Sequence, residues 1–161
     1  MDTLLIEPGI GIGPIKLGMT EREVKDTLQA FSEKYLKIDR HFSFYSLFKT
    51  RYDSDGKVIF VELCCYAKEH FNCLFRDIDV FNTKAEELVE MIDRISRYDR
   101  THWEVGCTYI FPELGLTLWR PSEFKEEDME AEWFKELRPD IQEDEMRNLY
   151  FQTVAVWSEL I

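Results

Sequence analysis

"FSFYSLFKTRYDSDGKVIFVELCCYA", residues 42–67, is the stretch on which the fold class turns. Two runs rich in aromatic and β-branched residues, 42–52 and 57–67, flank Asp53-Ser54-Asp55-Gly56. Such residues suit a pleated surface, and Asp-Gly between two of these runs signals a β-hairpin. The same residues imitate a calcium loop. With Arg51 as position 1, Asp53, Asp55, Gly56 and Glu62 fall at positions 3, 5, 6 and 12. Yet a cation stands where the first carboxylate ligand belongs, and the flanks read as strands instead of helices. The turn is the better reading.

Upstream, "GIGPIKLGMT", 11–20, matches the phosphate-binding loop G-x-x-x-x-G-K-[ST] from Gly13 to Thr20 at every defined position but one. Met19 replaces the lysine whose ammonium would neutralise the outer phosphates, and Pro14 removes one N–H from the cradle. A helix start explains more of these residues. Thr20 and Glu23 form a capping box, and Met19 and Val24 have the spacing of a hydrophobic staple. Helix is expected from Glu21 to about Phe31, with Val24, Leu28 and Phe31 on one face.

Downstream, "NCLFRDIDVFN", 72–82, alternates as a strand, and Thr83 with Glu86 offers a second capping box for a helix to about Ser96. Residues 100–112 read as extended. After "PELG", residues 116–121 alternate so that Leu116, Leu118 and Arg120 share a face opposite Thr117 and Trp119. Met129, Trp133 and Leu137, four apart, predict a third helix seated on the sheet, which Pro139 should end. A strand at 148–157 closes the chain. The whole predicts one domain over 1–161 of the α+β class. Its expected core is an antiparallel sheet of about six strands, with about three helices packed mainly on one face.

Composition narrows the function. Thirty-two acids against 20 bases give a net charge of −12, which repels a phosphate backbone and argues against direct nucleic-acid binding. The charge is concentrated. Residues 123–145, read as an acidic helix and loop, carry 11 acids and 3 bases, a net −8. Ten of those acids are the candidate partner-binding set: Glu126, Glu127, Asp128, Glu130, Glu132, Glu136, Asp140, Glu143, Asp144 and Glu145. Such a field steers association with a basic surface. Trp133, Phe134 and Trp119 lie beside it in sequence. They are residue types that anchor interfaces when exposed, but Trp133 and Trp119 are expected in the core.

Catalytic and cofactor signals are thin. There is no G-x-S-x-G, no H-E-x-x-H and no zinc-patterned cysteine set among Cys64, Cys65, Cys73 and Cys107. His70 with Cys73 and either Cys64 or Cys65 has no spacing that demands zinc. His102 and Glu104, two apart on an expected strand, would share a face as an acid–base pair. No cofactor and no metal are expected. The N-terminus reads as neither leader nor anchor, and no apolar run reaches the roughly 20 residues of a membrane helix. Reduced thiols in a cytoplasmic protein, with no membrane partner, are the expectation.

"GIGPIKLGMTEREV", 11–24, and "YIFPELGLTLWRP", 109–121, together resemble a group of small cytosolic bacterial proteins. Some of these are similar to the immunity partners, or antitoxins, encoded beside secreted polymorphic toxins, including the LXG type. "GMTEREV" is also similar to the helix-starting turn of SmpA/OmlA-type lipoproteins and of the β-lactamase-inhibitor-protein fold, a fold analogy only. The resemblance implies a non-enzymatic protein that binds and blocks a cognate toxin domain, many of which are nucleases with cationic grooves. It carries no catalytic or contact residue to any position here. A general protein-interaction adaptor and a small enzyme using His102 and Glu104 remain the alternatives.

Overall fold

A computed structural model describes residues 1–35 and 44–160. Its strands form two five-stranded sheets. In the first, the order is β3 (Ile15–Lys16), β2 (Gly11–Ile12), β1 (Asp2–Glu7), β6 (Phe71–Phe75), β7 (Ile78–Asp79). In the second, it is β4 (Phe48–Tyr52), β5 (Val58–Cys64), β10 (Thr153–Trp157), β9 (Leu116–Trp119), β8 (Thr108–Phe111). Helices α1 (Glu21–Tyr35), α2 (Ala85–Asp93), α3 (Glu132–Lys135) and α4 (Pro139–Met146) complete the regular elements.

The class is α+β as expected, but the single sheet is corrected to two. The sequence pattern does not reveal β1, β2 or β3, and β1 is the strand that joins them to β6. Leu4 and Ile6 alternate inward with Thr3 and Leu5 outward, too short a pattern to stand out. β1 pairs parallel with β6, Leu4 opposite Cys73, across nearly half the chain. All other pairings are antiparallel. Inward side chains of both sheets share one core with Val24 and Leu28 of α1 and Leu88 and Ile92 of α2. α3 and α4 do not reach that core. Phe134 of α3 joins a separate cluster with Phe124 and Leu149, and α4 buries nothing. Helices mainly on one face of one sheet are therefore replaced by two helices in the shared core and two outside it.

The deciding hairpin forms as read. β4 and β5 pair antiparallel, Phe48 opposite Leu63 and Thr50 opposite Val61. Asp53 Oδ1 accepts the N–H groups of Asp55 and Lys57, each at 2.9 Å, and Gly56 turns at φ 77. Ahead of it, Phe44–Leu47 is a 3-10 turn instead of strand. The expected strand residues 42 and 43 lie outside the described residues.

The glycine loop is structural. Gly13 N–H donates to Leu5 O, Leu17 N–H to Ile10 O and Gly18 N–H to Val58 O, each at 2.8 Å, so these donors are committed to the backbone. Thr20 and Glu23 close the capping box, with Glu23 N–H to Thr20 Oγ1 at 3.1 Å and Thr20 N–H to Glu23 Oε1 at 3.4 Å. Met19 packs against the core. Thr20→Ala should cost about 1 kcal/mol, seen as a fall in Tm of about 2–4 °C.

Other boundaries move for local reasons. Arg76, at φ 55, breaks the expected strand 72–82 into the tight hairpin β6–β7. Thr83 does not cap α2. Its hydroxyl donates to Asp79 O at 2.6 Å, leaving Lys84 as the N-cap, and the helix ends at Asp93. Strand character within 100–112 is confined to Thr108–Phe111, and within 148–157 to Thr153–Trp157.

Burial pushes the Cys73 thiol up to about 12, with the Asp79 charge adding to it. The fold thus favours the neutral thiol. That contribution is intact below the ordinary thiol pKa of about 8.5 and is lost as pH rises through about 12. Denaturant titrations across this range should show stability falling, with a shallower fall in Cys73→Ala.

Candidate functional site

The β9 alternation sends Leu116, Leu118 and Arg120 inward, and Arg120 is only 1% exposed. A buried guanidinium needs acceptors. Here they are backbone carbonyls: Nε donates to Gly106 O at 2.8 Å, and Nη1 donates to Phe124 O at 3.2 Å and Asn148 O at 2.8 Å. The Phe151 ring lies beneath, 5.5 Å from the guanidinium carbon to its centroid. No carboxylate pairs with Arg120 among the described residues.

Phe124 and Asn148 bracket the acidic segment. One nitrogen therefore clamps both ends of an excursion over 125–147. Inside it, Lys125 N–H donates to Asp128 Oδ2 at 2.8 Å and opens the 3-10 helix Glu126–Glu130. Ala131 is extended and separates this from α3. Pro139 does not end α3, which stops at Lys135. It sits at the start of α4, where its missing N–H costs nothing. Gln142 Nε2 ties α4 back to Phe134 O at 2.9 Å. The continuous helix expected up to Pro139 is thus two short pieces, the 3-10 helix and α3, and the loop expected after it is α4; Met129 and Leu137 are partly buried against the Phe124, Phe134, Leu149 cluster.

The excursion carries all ten predicted carboxylates, and the chain partly neutralises them. Lys84, the N-cap of α2, pairs with Glu126, Lys135 with Glu130 at 3.8 Å, Arg138 with Asp140 at 3.2 Å, and Arg147 with Asp144 at 3.7 Å. These pairs are exposed, so water and salt screen them. Asp128 accepts the Lys125 N–H. Glu127, Glu132, Glu136, Glu143 and Glu145 form no ion pair among the described residues. Lys125 lies 3.6 Å from Glu86 and 3.7 Å from Glu123, and those two carboxylates hold its ammonium above the usual range. A cleft of about 540 Å³ opens between α2 and the excursion, lined by Lys84, Glu86, Glu87, Lys125 and Glu126 over Phe124.

The tryptophans correct the core expectation. Trp133 is 49% exposed and packs edge-on against Phe124 and Phe134. Trp119 is 38% exposed on the outer side of β9. Trp103, not singled out in the sequence, is 85% exposed and stacks on His102. Each belongs to a segment tied to Arg120: Trp119 precedes it, the Trp103 loop supplies Gly106 O, and Trp133 leans on Phe124. Helical spacing could not reveal this, because four-residue periodicity marks a face without saying what covers it.

His102 and Glu104 do not form the expected pair on a strand face. They lie in a turn, where His102 Nδ1 accepts the Glu104 N–H at 3.1 Å and the Glu104 carboxylate accepts from Thr108 Oγ1 at 2.8 Å. Among the described residues, no three His, Cys, Asp or Glu side chains stand close enough to share a metal ion, and no helix is long and apolar enough to cross a membrane. Compared with known protein families, curated proteins and solved structures, the chain matches none.

Proposed function

We propose that this chain is a non-enzymatic, cytoplasmic immunity protein that neutralises a cognate toxin domain through the acidic excursion, with a cationic nuclease groove as the target chemistry. The reading rests on one observation: Trp133 stands half-exposed in a run of carboxylates, several of which form no ion pair among the described residues, on a segment clamped at both ends by Arg120. Carboxylates raise the encounter rate with a basic surface. An exposed tryptophan on a rigid support then supplies the short-range contact that slows dissociation, including stacking with arginine or lysine. Preorganisation lowers the ordering cost on binding.

The test is charge reversal of Glu127, Glu132, Glu136 and Glu143 to lysine, measured against any toxin domain that a neighbouring gene encodes; a neighbourhood without one removes the immunity reading. The association rate at low salt should fall by about 10-fold or more, and its salt dependence should flatten. Co-expression should no longer rescue growth. An unchanged association rate removes the excursion from the mechanism, and failure of the wild-type chain to rescue removes the immunity reading.

A further inference from the structure

The β6–β7 hairpin turns through Arg76 and Asp77 alone, between the paired residues Phe75 and Ile78. Positive φ at only the first of two loop positions is the pattern of a II′ turn, where glycine is the usual residue. Here the position is held by Arg76 at φ 55, the only residue other than glycine with positive φ among those described. A Cβ in this conformation costs stability that glycine would not. The Arg76 guanidinium lies over the Phe75 ring, 5.6 Å from its centroid. It forms no ion pair among the described residues.

Arg76 also lines an open cleft of about 440 Å³, with Leu5, Ile6, Pro8, Phe75 and Leu114. The cleft exists because the β1–β6 ladder stops early. The two strands pair as far as Leu5 and Leu74, and beyond that Ile6 and Glu7 pair only with β2, on the other edge of β1. Leu114, in the turn between β8 and β9, comes up beside the opening. Leu5 is 46% exposed, and Ile10, in the turn that follows Pro8, is 51% exposed, so apolar surface is left open at this end of β1. Glu7, the other charge in the lining, is engaged by Lys16 at 3.4 Å, and Asp77 does not line the cleft. The uncommitted charge here is therefore positive, on a chain of net charge −12.

We infer that this cleft docks an extended segment of a partner protein, which sets an aliphatic side chain against Leu5, Ile6 and Leu114 and an Asp or Glu carboxylate on Arg76. Arginine meets a carboxylate through two parallel N–H···O bonds, so one cation at the mouth of an apolar cleft fixes both position and orientation. The Phe75 ring beneath the guanidinium supports its plane. A cleft open to solvent with exposed apolar side chains around it has the form of a protein-docking surface. No residue of the acidic excursion lines it, so this surface is independent of the one proposed for the toxin. Strain at Arg76 then has a function: the position trades fold stability for a cation that glycine could not supply.

The probe is a synthetic octapeptide with Leu-Ile-Asp at its centre and both ends blocked, titrated into the full chain and followed through the methyl resonances of Leu5, Ile6 and Leu114. These should shift to saturation, and the analogue with Asn for Asp should bind about 3-fold or more weakly. Arg76→Gly should abolish that preference and raise Tm by about 2 °C or more, because the strain leaves with the side chain. Arg76→Lys keeps both charge and strain, so it should retain part of the preference with Tm near that of wild type. A lower Tm in Arg76→Gly makes the residue a support of the fold and overturns the inference. Equal binding of the two peptides, or no methyl shift up to about 5 mM peptide, does the same. Octanoate shifting the same methyls at lower concentration than the peptide replaces the protein occupant with a lipid, and dimers of the wild-type chain that Arg76→Gly dissociates replace it with a second copy; either overturns the partner named here.

Discussion

Arg120→Leu should lower unfolding free energy by at least about 3 kcal/mol, a fall in Tm of about 6–12 °C. The side chain is almost fully buried and serves three carbonyls on three separate segments, those of Gly106, Phe124 and Asn148. Leucine fills part of the volume but donates nothing, and each buried acceptor left without a partner costs about 1–3 kcal/mol. The damage should be directional. With both ends of 125–147 released, trypsin should cut at Lys125, Lys135 and Arg147 faster than elsewhere, before global unfolding. Arg120→Lys keeps the charge but cannot reproduce the planar fork, so it should fall between wild type and leucine. Equal stability of all three proteins, with no change in cleavage, would show that the clamp is incidental.

Trp133→Ala should weaken toxin binding by about 30-fold or more, mainly through faster dissociation, because truncating a central aromatic anchor costs about 2 kcal/mol or more. The fold should lose less. The ring contributes to the Phe124 and Phe134 cluster from its edge and is half in solvent. Trp133→Phe should recover part of the affinity. Charge reversal and tryptophan truncation separate kinetically, the first acting on association and the second on dissociation. If Trp133→Ala dissociates like wild type while the charge variant still associates slowly, the excursion steers without an anchor at this position.

Short-range features were readable in advance. The Asp53–Gly56 turn and the Thr20 cap each close within four residues, so the chemistry that forms them sits side by side in the chain. Alternation also placed Arg120 with Leu116 and Leu118, which is the side it occupies. Reading stopped at burial. An inward arginine at a strand end reads as a side chain reaching for solvent until the three carbonyls around it are known. In the acidic segment, four-residue spacing suggests one continuous helix, and the folded chain breaks it. Extended Ala131 interrupts the run, and Pro139 begins a helix instead of ending one. Thr83 shows the limit of cap motifs: a nearer acceptor, Asp79 O, took its hydroxyl.

From residues alone come the α+β class, the turn chemistry, the structural nature of the glycine loop and the concentration of negative charge. All of these depend on neighbours within a few positions or on simple composition. The division into two sheets, the parallel pairing of β1 with β6 and the clamp on the excursion needed the folded chain. So did the assignment of Lys84 to Glu126 and the exposure of Trp133. Each joins positions far apart in the chain or depends on what covers a face. Burial and pairing are properties of the assembled surface, and no local pattern encodes which distant segment will supply it.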